Sequence, residues 1–155
     1  MAEELRSRER ADCLVIGGGP GGLSAALYLA RFHLSVIVLD GGESRAASIP
    51  RSHNLPGHPQ GISGTDLIQA VRSQAEAHSA VMRRARVAFL HAREHGFLAE
   101  TGAGVILARK VLLATGVENL RPQPMSDALH EEALRRGLLR YCPVCDGYEV
   151  TDRRI

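Results

Sequence analysis

The block Gly17-Gly18-Gly19-Pro20-Gly21-Gly22 most constrains the fold of this chain. It directly follows a short apolar run at residues 13–16, typical of a strand buried on both faces. Residues 23–30 come next, with apolar side chains at helical spacing. A second apolar run at residues 36–39 then ends at Asp40. Because strand, glycine loop, helix, strand and acid occur in this order, the sequence predicts a βαβ unit.

Within the block, Gly17, Gly19 and Gly22 satisfy the pattern G-x-G-x-x-G. Such glycines allow a tight turn, close approach of the backbone to a pyrophosphate, and close packing of helix against strand. The helix N-terminus offers unpaired N–H groups and about half a positive charge to the phosphates. Asp40 stands where an acid accepts hydrogen bonds from a ribose. The pattern predicts a dinucleotide site, either FAD or NAD, and the alternative is a merely structural glycine turn.

The middle of the chain is predicted to pass from a loop into a helix. Residues 45–62 are rich in Pro, Gly, Ser, His and Asn, which is typical of a loop that crosses a site. Within this loop, Arg45 could pair with a phosphate, but we expect a solvated surface arginine. The capping residues at 63–66 predict a helix that runs to about His78.

Strand signals follow this helix. Short strands are predicted at residues 81–90, 97–98 and 105–107, separated by glycines, and they suggest a small antiparallel layer inserted into the parallel unit. Residues 110–114 predict a further buried strand, and Thr115-Gly116 follows it. A glycine at the end of a strand lets the backbone approach a ligand closely, although a simple turn explains it almost as well.

Two cysteines near the end of the sequence form a Cys-x-x-Cys pair. Cys142 and Cys145 could close and reopen a disulfide, and their spacing brings the sulfurs within reach if they begin a helix. The attacking species is the thiolate, so the motif must lower a cysteine pKa that is ordinarily about 8.5. The charge of Asp146 cannot do this, and its expected use is to deliver or accept the proton. A zinc pair and a buried, inert pair are the alternatives.

Composition and charge narrow the classes of function. The net charge is +2, and the basic residues are scattered, so nothing predicts binding to nucleic acid. No stretch fits an export signal or a membrane helix, which favours a cytoplasmic protein with no membrane partner. Three cysteines fit a reducing compartment, and Cys13 is predicted to pack in the core. No metal site is predicted.

Four motifs together resemble the low-molecular-weight thioredoxin reductase family. They are the glycine block, Asn54-Leu55-Pro56-Gly57, Ala114-Thr115-Gly116 and Cys142-Pro143-Val144-Cys145-Asp146-Gly147, in this order and spacing. The resemblance implies an FAD enzyme that passes hydride from NADPH to the flavin and then to the Cys-x-x-Cys disulfide. The final acceptor would be a protein or small-molecule disulfide, and the assembly a homodimer. A related branch of dithiol oxidases, which works in the dithiol-to-disulfide direction, stays open.

The resemblance also implies roles for individual residues. The redox pair would be Cys142 and Cys145, with Asp146 as the proton donor. One departure is Glu43, which stands where the family commonly has a glutamine that reaches the flavin ring. The implied FAD contacts are Gly17, Gly18, Gly19, Pro20, Gly21 and Gly22 at the pyrophosphate, Asp40 at the adenosine ribose, Val87 at the adenine, Asn54 at the flavin end, and Ala114, Thr115 and Gly116 beside the cofactor.

The predicted fold class is α/β, with a Rossmann-like FAD-binding lobe, a small antiparallel β insertion and the start of a second nucleotide-binding lobe. The expected divisions are an N-terminal tail at 1–11, an FAD-binding domain at 12–118 without its C-terminal return segment, a linker at 119–125, and the beginning of the NADPH and dithiol domain at 126–155. The family's second glycine-rich fingerprint, which binds NADPH, is absent from these residues. The alternative function is therefore a truncated, non-enzymatic FAD-binding or thiol-exchange module.

Overall fold

The computed structural model describes residues 9–152 and residue 154, with the backbone alone at positions 145 and 146. Strands and helices alternate in the first third of the chain, and an antiparallel run of strands follows. The elements are β1 (Glu9–Ile16), α1 (Pro20–Arg31), β2 (Val36–Asp40), a 3-10 helix (Arg45–Ser48), α2 (Gly64–Ala77), β3 (Val81–Arg84), β4 (Val87–Arg93), β5 (Gly96–Thr101), β6 (Gly104–Leu113), α3 (Asp127–Arg135), α4 (Pro143–Asp146) and a second 3-10 helix (Tyr148–Val150).

The strands form one six-stranded sheet in the order β3-β2-β1-β6-β5-β4. β1 pairs in parallel with both β2 and β6, and β2 pairs in parallel with β3. β5 runs antiparallel to β6 and to β4. The βαβ prediction is confirmed, and the carboxyl ends of β1, β2 and β6 meet at one edge of the sheet.

Two of the predicted strand boundaries are wrong. The segments predicted at 105–107 and 110–114 belong to the single strand β6, which pairs with β5 on one side and with β1 on the other. No glycine or proline separates them, so the chain stays extended and the antiparallel strands continue the parallel sheet rather than form a separate layer. Residues 81–90 are instead divided into β3, which pairs with β2, and β4, which pairs with β5.

The core lies on both faces of the central strands. Alternate residues of β1 and β2 face opposite sides, as the twofold repeat of a strand requires. One face packs Cys13, Val15, Val36 and Val38 against Leu23, Ala26 and Leu27 of α1, and the other packs Leu14, Ile37 and Leu39 with Ala99 and Ile106. Cys13 is confirmed as a core residue, and burial raises the pKa of its thiol.

Helix boundaries follow the local signals. α1 begins with Pro20 at its first position, and α2 begins after Ser63, whose side chain accepts a hydrogen bond from the Asp66 N–H at 3.1 Å. The predicted cap of α2 is therefore confirmed. β1 begins at Glu9, inside the segment predicted as a tail, because Glu9 pairs with Ile106 of β6. Among the described residues, we find no helix with both the length and the apolar character needed to cross a membrane.

Candidate nucleotide cleft and dithiol segment

A cleft of about 1120 Å³ opens at the edge of the sheet where β1, β2 and β6 end. Small-molecule sites usually enclose about 300–1,000 Å³, so this volume suits an extended ligand. Predicted site residues on its walls are Gly17, Gly18, Gly19, Pro20, Gly21, Asp40, Val87, Ala114, Thr115 and Gly116. Other wall residues include Glu43, Ser44, Arg45, Arg86 and Glu118. The structure thus brings together most of the positions that the sequence proposed as cofactor contacts.

Two glycines of the loop have no room for a side chain. Gly17 has φ +120°, and a Cβ there would lie 2.1 Å from the carbonyl oxygen of Ala114. A Cβ at Gly22 would lie 2.0 Å from the carbonyl oxygen of Gly17. The end of β1 therefore lies close against the end of β6, and the start of α1 lies close against the glycine loop. Gly22 is absent from the cleft wall, so its part is to pack helix against strand.

The carboxylate of Asp40 lies directly beside the loop. A Cβ at Gly18 would lie 2.2 Å from the Asp40 Cγ, so a larger residue there would have to displace the Asp40 side chain. Oδ1 accepts the Gly42 N–H at 2.8 Å, and Oδ2 accepts a hydrogen bond from Nη2 of Arg72 on α2. The Asp40 side chain is only 14% exposed. A carboxylate has about four acceptor positions, so Asp40 can still accept hydrogen bonds from a ribose hydroxyl.

Glu43 is ion-paired at the same end of the cleft. Its carboxylate accepts a hydrogen bond from Nη2 of Arg86, which lies between β3 and β4. The hydrogen bond and charge of Arg86 lower the pKa of Glu43, and the pairing raises the pKa of Arg86. Both side chains are well exposed. Where the family commonly has a glutamine, this chain therefore has one half of an ion pair across the mouth of the cleft.

The cleft suits a dinucleotide in volume and in chemistry. A Cβ at Gly21 would meet nothing within 4 Å, so the first turn of α1 faces open space. No acidic side chain occupies that turn, which leaves its N–H groups available to an anion. Asp40 provides acceptors at the end of β2, as ribose binding requires. These residues fit the adenosine and pyrophosphate of a bound FAD.

Asn54 is not on the wall of the cleft. Its Oδ1 accepts a hydrogen bond from the Ser52 hydroxyl at 2.6 Å, and its Nδ2 lies 3.5 Å from the carbonyl oxygen of Val144. Asn54, which was predicted to lie at the flavin end, thus contacts Val144, between the two cysteines in the sequence. His53 adds a second link, because its Nδ1 lies 3.4 Å from a carboxylate oxygen of Glu149.

The Cys-x-x-Cys motif begins a helix, as expected. Cys142 precedes the one-turn helix α4 and is disulfide-bonded in the structure. The side chains of Cys145 and Asp146 lie outside the described residues. Just before the motif, the Tyr141 hydroxyl lies 2.6 Å from Nε2 of His130 on α3. Across the described part of the chain, no three His, Cys, Asp or Glu side chains group as metal ligands.

The unpredicted residues of the site are mostly long, charged side chains. Arg72 reaches Asp40 from a helix 32 positions further along the chain, and no sequence pattern relates the two. Arg86 comes from the turn between β3 and β4, and Arg45 from the first 3-10 helix. Arg45 is half-buried on the cleft wall rather than fully exposed.

Comparisons with known proteins agree with this geometry. A family model described as pyridine nucleotide-disulphide oxidoreductase matches residues 11–154. A thioredoxin reductase from Treponema pallidum is 35% identical over 140 residues, which cover 88% of this chain and 44% of the relative. A thioredoxin reductase from Streptomyces coelicolor is 30% identical, with 93% of this chain and 45% of the relative covered. The chain spans about half the length of the curated relatives it matches.

Solved structures lead to the same family. A thioredoxin reductase from Gloeobacter violaceus aligns with a TM-score of 0.70 at 33% identity, over 93% of this chain and 47% of that one. The enzyme from Streptococcus pyogenes aligns with a TM-score of 0.81 at 29% identity, over 91% and 45%. This chain therefore belongs to the pyridine nucleotide-disulphide oxidoreductases, and within them to the low-molecular-weight thioredoxin reductase family.

Proposed function

We propose that this chain binds FAD and works in a flavin-dependent disulfide oxidoreductase of the thioredoxin reductase type. Electrons would pass from NAD(P)H through FAD to a disulfide between Cys142 and Cys145. The observation that carries the proposal is that one short chain combines a dinucleotide cleft with a disulfide-bonded Cys142. When bound, FAD would supply the two-electron step between a nicotinamide and the disulfide.

Each part of the site has a defined task in this proposal. The N–H groups of the glycine loop bind the pyrophosphate, and Asp40 accepts hydrogen bonds from the adenosine ribose. Val87 meets the adenine through its backbone. Reduction breaks the S–S bond, places two electrons on the sulfurs and leaves a thiol and a thiolate once one proton arrives. Asp146 holds that proton.

Further roles belong to the contacts around the cofactor and to the partners. Asn54 would lie at the flavin end, and Ala114, Thr115 and Gly116 would pass beside the cofactor. The terminal acceptor would be a protein or small-molecule disulfide, since the named relatives are reductases of thioredoxin. We place the protein in the cytoplasm on the basis of its sequence, and we expect a homodimer from the family resemblance alone.

The purified chain tests the proposal through its flavin. We expect a yellow protein whose flavin absorbance is bleached by NADPH and restored by a disulfide substrate. A colourless protein that takes up no added FAD would contradict flavin binding. Bound flavin that ignores NADPH would limit this chain to binding, with the reduction step carried out by residues outside it.

Cysteine variants test the dithiol. Cys145→Ser should leave FAD binding unchanged and abolish disulfide exchange, because a single thiol cannot reform the intramolecular disulfide. The matched control is Cys13→Ala, which removes the buried core thiol and should leave exchange unchanged. Exchange that survives in Cys145→Ser would contradict the redox role of the pair.

A second candidate function is an FAD-binding module without turnover. One observation favours this second function. All residues on the cleft wall lie between positions 16 and 119, so FAD binding would depend on that part of the chain alone. In that case Cys145→Ser and the unchanged chain would bind FAD equally, and NADPH would bleach neither of them.

A further inference from the structure

We propose that Arg45 is a phosphate-binding residue, and that its guanidinium pairs with the pyrophosphate of the dinucleotide in the cleft. The inference rests on the proposed cofactor function and names a residue that would set the ligand specificity of the cleft. The cleft would select ligands that carry a diphosphate over the corresponding nucleosides. The glycine fingerprint does not include this residue, which lies 23 positions beyond Gly22 in the sequence.

The backbone that carries Arg45 is fixed on one side by α2. Arg45 begins the first 3-10 helix, in which the Ser48 hydroxyl donates to the Arg45 carbonyl at 2.8 Å. A Cβ at Gly64 would lie 1.6 Å from the Ala46 carbonyl oxygen, and the Gly64 N–H donates to the Ile49 carbonyl at 2.9 Å. The 3-10 helix therefore lies directly against the start of α2.

The other side of this segment faces the glycine loop. A Cβ at Gly19 would lie 3.2 Å from the Ser44 Oγ, so the residue before Arg45 touches the loop at the N-cap of α1. Arg45 itself lines the same cleft as residues 17–21. The 3-10 helix thus holds a cation next to the backbone that the fingerprint assigns to phosphates.

The charges of the cleft wall leave Arg45 without a counterion. Asp40 is paired with Arg72 and Glu43 with Arg86, and the exposed Glu118 exerts its charge on Arg86. Within the described part of the chain, the guanidinium of Arg45 makes no ion pair or hydrogen bond. Even so, the residue is half-buried.

A half-buried cation without a partner is costly unless a ligand supplies the negative charge. A guanidinium has a planar set of N–H donors that can bind two phosphate oxygens at once, whereas a ribose or an adenine offers it no such pair of anionic acceptors. The diphosphate is the part of a dinucleotide that carries negative charge. The unmet charge of Arg45 and its place beside the loop therefore indicate the same ligand group.

Binding of ADP and of adenosine to the full chain, measured by calorimetry, tests the inference. Both ligands contain the adenosine that meets Asp40, and ADP alone contains the diphosphate. Arg45→Ala should weaken ADP binding about tenfold to a hundredfold, the range for hydrogen bonds to a charged group, and leave adenosine binding unchanged. Arg45→Lys should recover part of the loss, because it restores the charge but not the planar donors.

The matched control is Arg93→Ala. Arg93 is an exposed arginine on β4 that lies off the cleft wall, and its guanidinium donates to the carbonyl of its neighbour Ala92. This variant should bind ADP and adenosine as the unchanged chain does. Raising the salt concentration should weaken ADP binding less in Arg45→Ala than in the control, since one charge contact is missing.

Three results would overturn the inference. Wild-type ADP affinity in Arg45→Ala would exclude contact with the diphosphate and leave the cofactor proposal standing. An equal loss of ADP and adenosine binding would show that Arg45 only supports the loop. If the unchanged chain binds neither ADP nor FAD, the cofactor proposal fails, and the inference fails with it.

Discussion

The nucleotide cleft and the dithiol segment (residues 138–152) are held in place by different kinds of contact. At the cleft, strand residues such as Leu14 and Val38 are fully buried, and the glycine loop leaves no space for a methyl group at Gly22. In the dithiol segment, Val144 is 86% exposed and Tyr148 is 89% exposed. One region is fixed by close packing, and the other is attached to the first lobe by a few polar contacts.

This difference matches the tasks that we propose for the two regions. A site that binds a cofactor through backbone N–H groups depends on a rigid backbone, because small displacements weaken every hydrogen bond. A disulfide that must meet both a flavin and an external partner needs access instead. The helix next to it, α3, buries only Ala133 and belongs to neither core cluster. We therefore expect the two regions to differ in stability as well as in structure.

Among the predictions, substitution of a glycine in the glycine loop should have the largest effect on the free energy of unfolding. It tests the close packing at the cleft. Gly22→Ala would place its Cβ 2.0 Å from the Gly17 carbonyl, a backbone atom that cannot move without breaking the turn. We expect a loss of about 3 kcal/mol or more in the free energy of unfolding, measured by urea denaturation. The dithiol segment has a similar close contact at Gly147, where a Cβ would lie 2.5 Å from the Pro143 carbonyl oxygen, but this exposed residue belongs to neither core cluster.

Gly21→Ala is the matched control for this experiment. A Cβ at Gly21 meets nothing within 4 Å, and the residue lies in the first turn of α1. Alanine in a helix should be neutral or stabilising by up to about 1 kcal/mol. The same methyl group faces the cleft, so FAD affinity should fall while stability does not. Equal stabilities for the two alanine variants would contradict the close packing assigned to Gly22.

The sequence was sufficient for the backbone of the cleft. The ends of successive parallel strands meet at one edge of a sheet, so the spacing of Gly17, Asp40 and Gly116 already predicts that they lie together. Asn54 was placed by family resemblance at the flavin, and its observed contact is with Val144. That contact joins two segments 90 positions apart, and no local pattern predicts it.

The sequence could not predict which arginines reach the cleft, and the reason is related. Arg72 and Arg86 reach the cleft through long side chains from α2 and from the turn before β4. Their position depends on how those elements pack, which neither hydrophobic periodicity nor turn chemistry determines. Arg45 has the same limitation, since its sequence neighbours are typical of an exposed loop. The continuous apolar runs did predict the buried strands of the core, including Cys13.

Two helix caps test whether the cleft and the dithiol segment differ in stability. The expected changes in the free energy of unfolding are smaller than for Gly22→Ala. Ser63 caps α2 by accepting the Asp66 N–H at 3.1 Å, and Ser126 caps α3 by accepting the Leu129 N–H at 3.3 Å. Removing a serine cap usually costs about 1 kcal/mol. Because α2 packs on α1 through Ala75, Ser63→Ala should lower the global stability by that amount.

Ser126→Ala should instead leave the global stability unchanged. It should increase amide hydrogen exchange within α3, since this helix can open without exposing either core cluster. Urea denaturation and hydrogen exchange on both variants separate the two cases. If both substitutions lowered the global stability equally, the two regions would unfold as a single unit and the comparison would be wrong.

The smallest expected effect on stability concerns Asp12, which lies on β1 away from the cleft. Its side chain links β1 to the residue before β2 and to β6. Its Oδ2 accepts the Ser35 N–H at 2.9 Å and the Ser35 hydroxyl at 2.8 Å, and its Oδ1 accepts from Nη1 of Arg109 at 3.0 Å. These bonds, those from Ser35 foremost, hold the pKa of Asp12 below its ordinary value of 3.8. A lowered pKa stabilises the fold above the unfolded value, and the stabilisation disappears as the pH falls through the folded value.

Asp12→Asn should therefore be less stable than the unchanged chain near pH 7, with a difference that shrinks as the pH falls below about 4. Urea denaturation between pH 3 and pH 7 measures this difference, and the remaining carboxylates largely cancel because both proteins contain them. Ser35→Ala removes one of the donors and should reproduce part of the pattern. Hydrogen exchange in α3 should not show this pH dependence, because the side-chain hydrogen bonds of Asp12 in the described residues join it to Ser35, just before β2, and to Arg109 on β6. A pH-dependent difference that appeared in α3 as strongly as in β1 would mean that the dithiol segment shares the stability of the sheet.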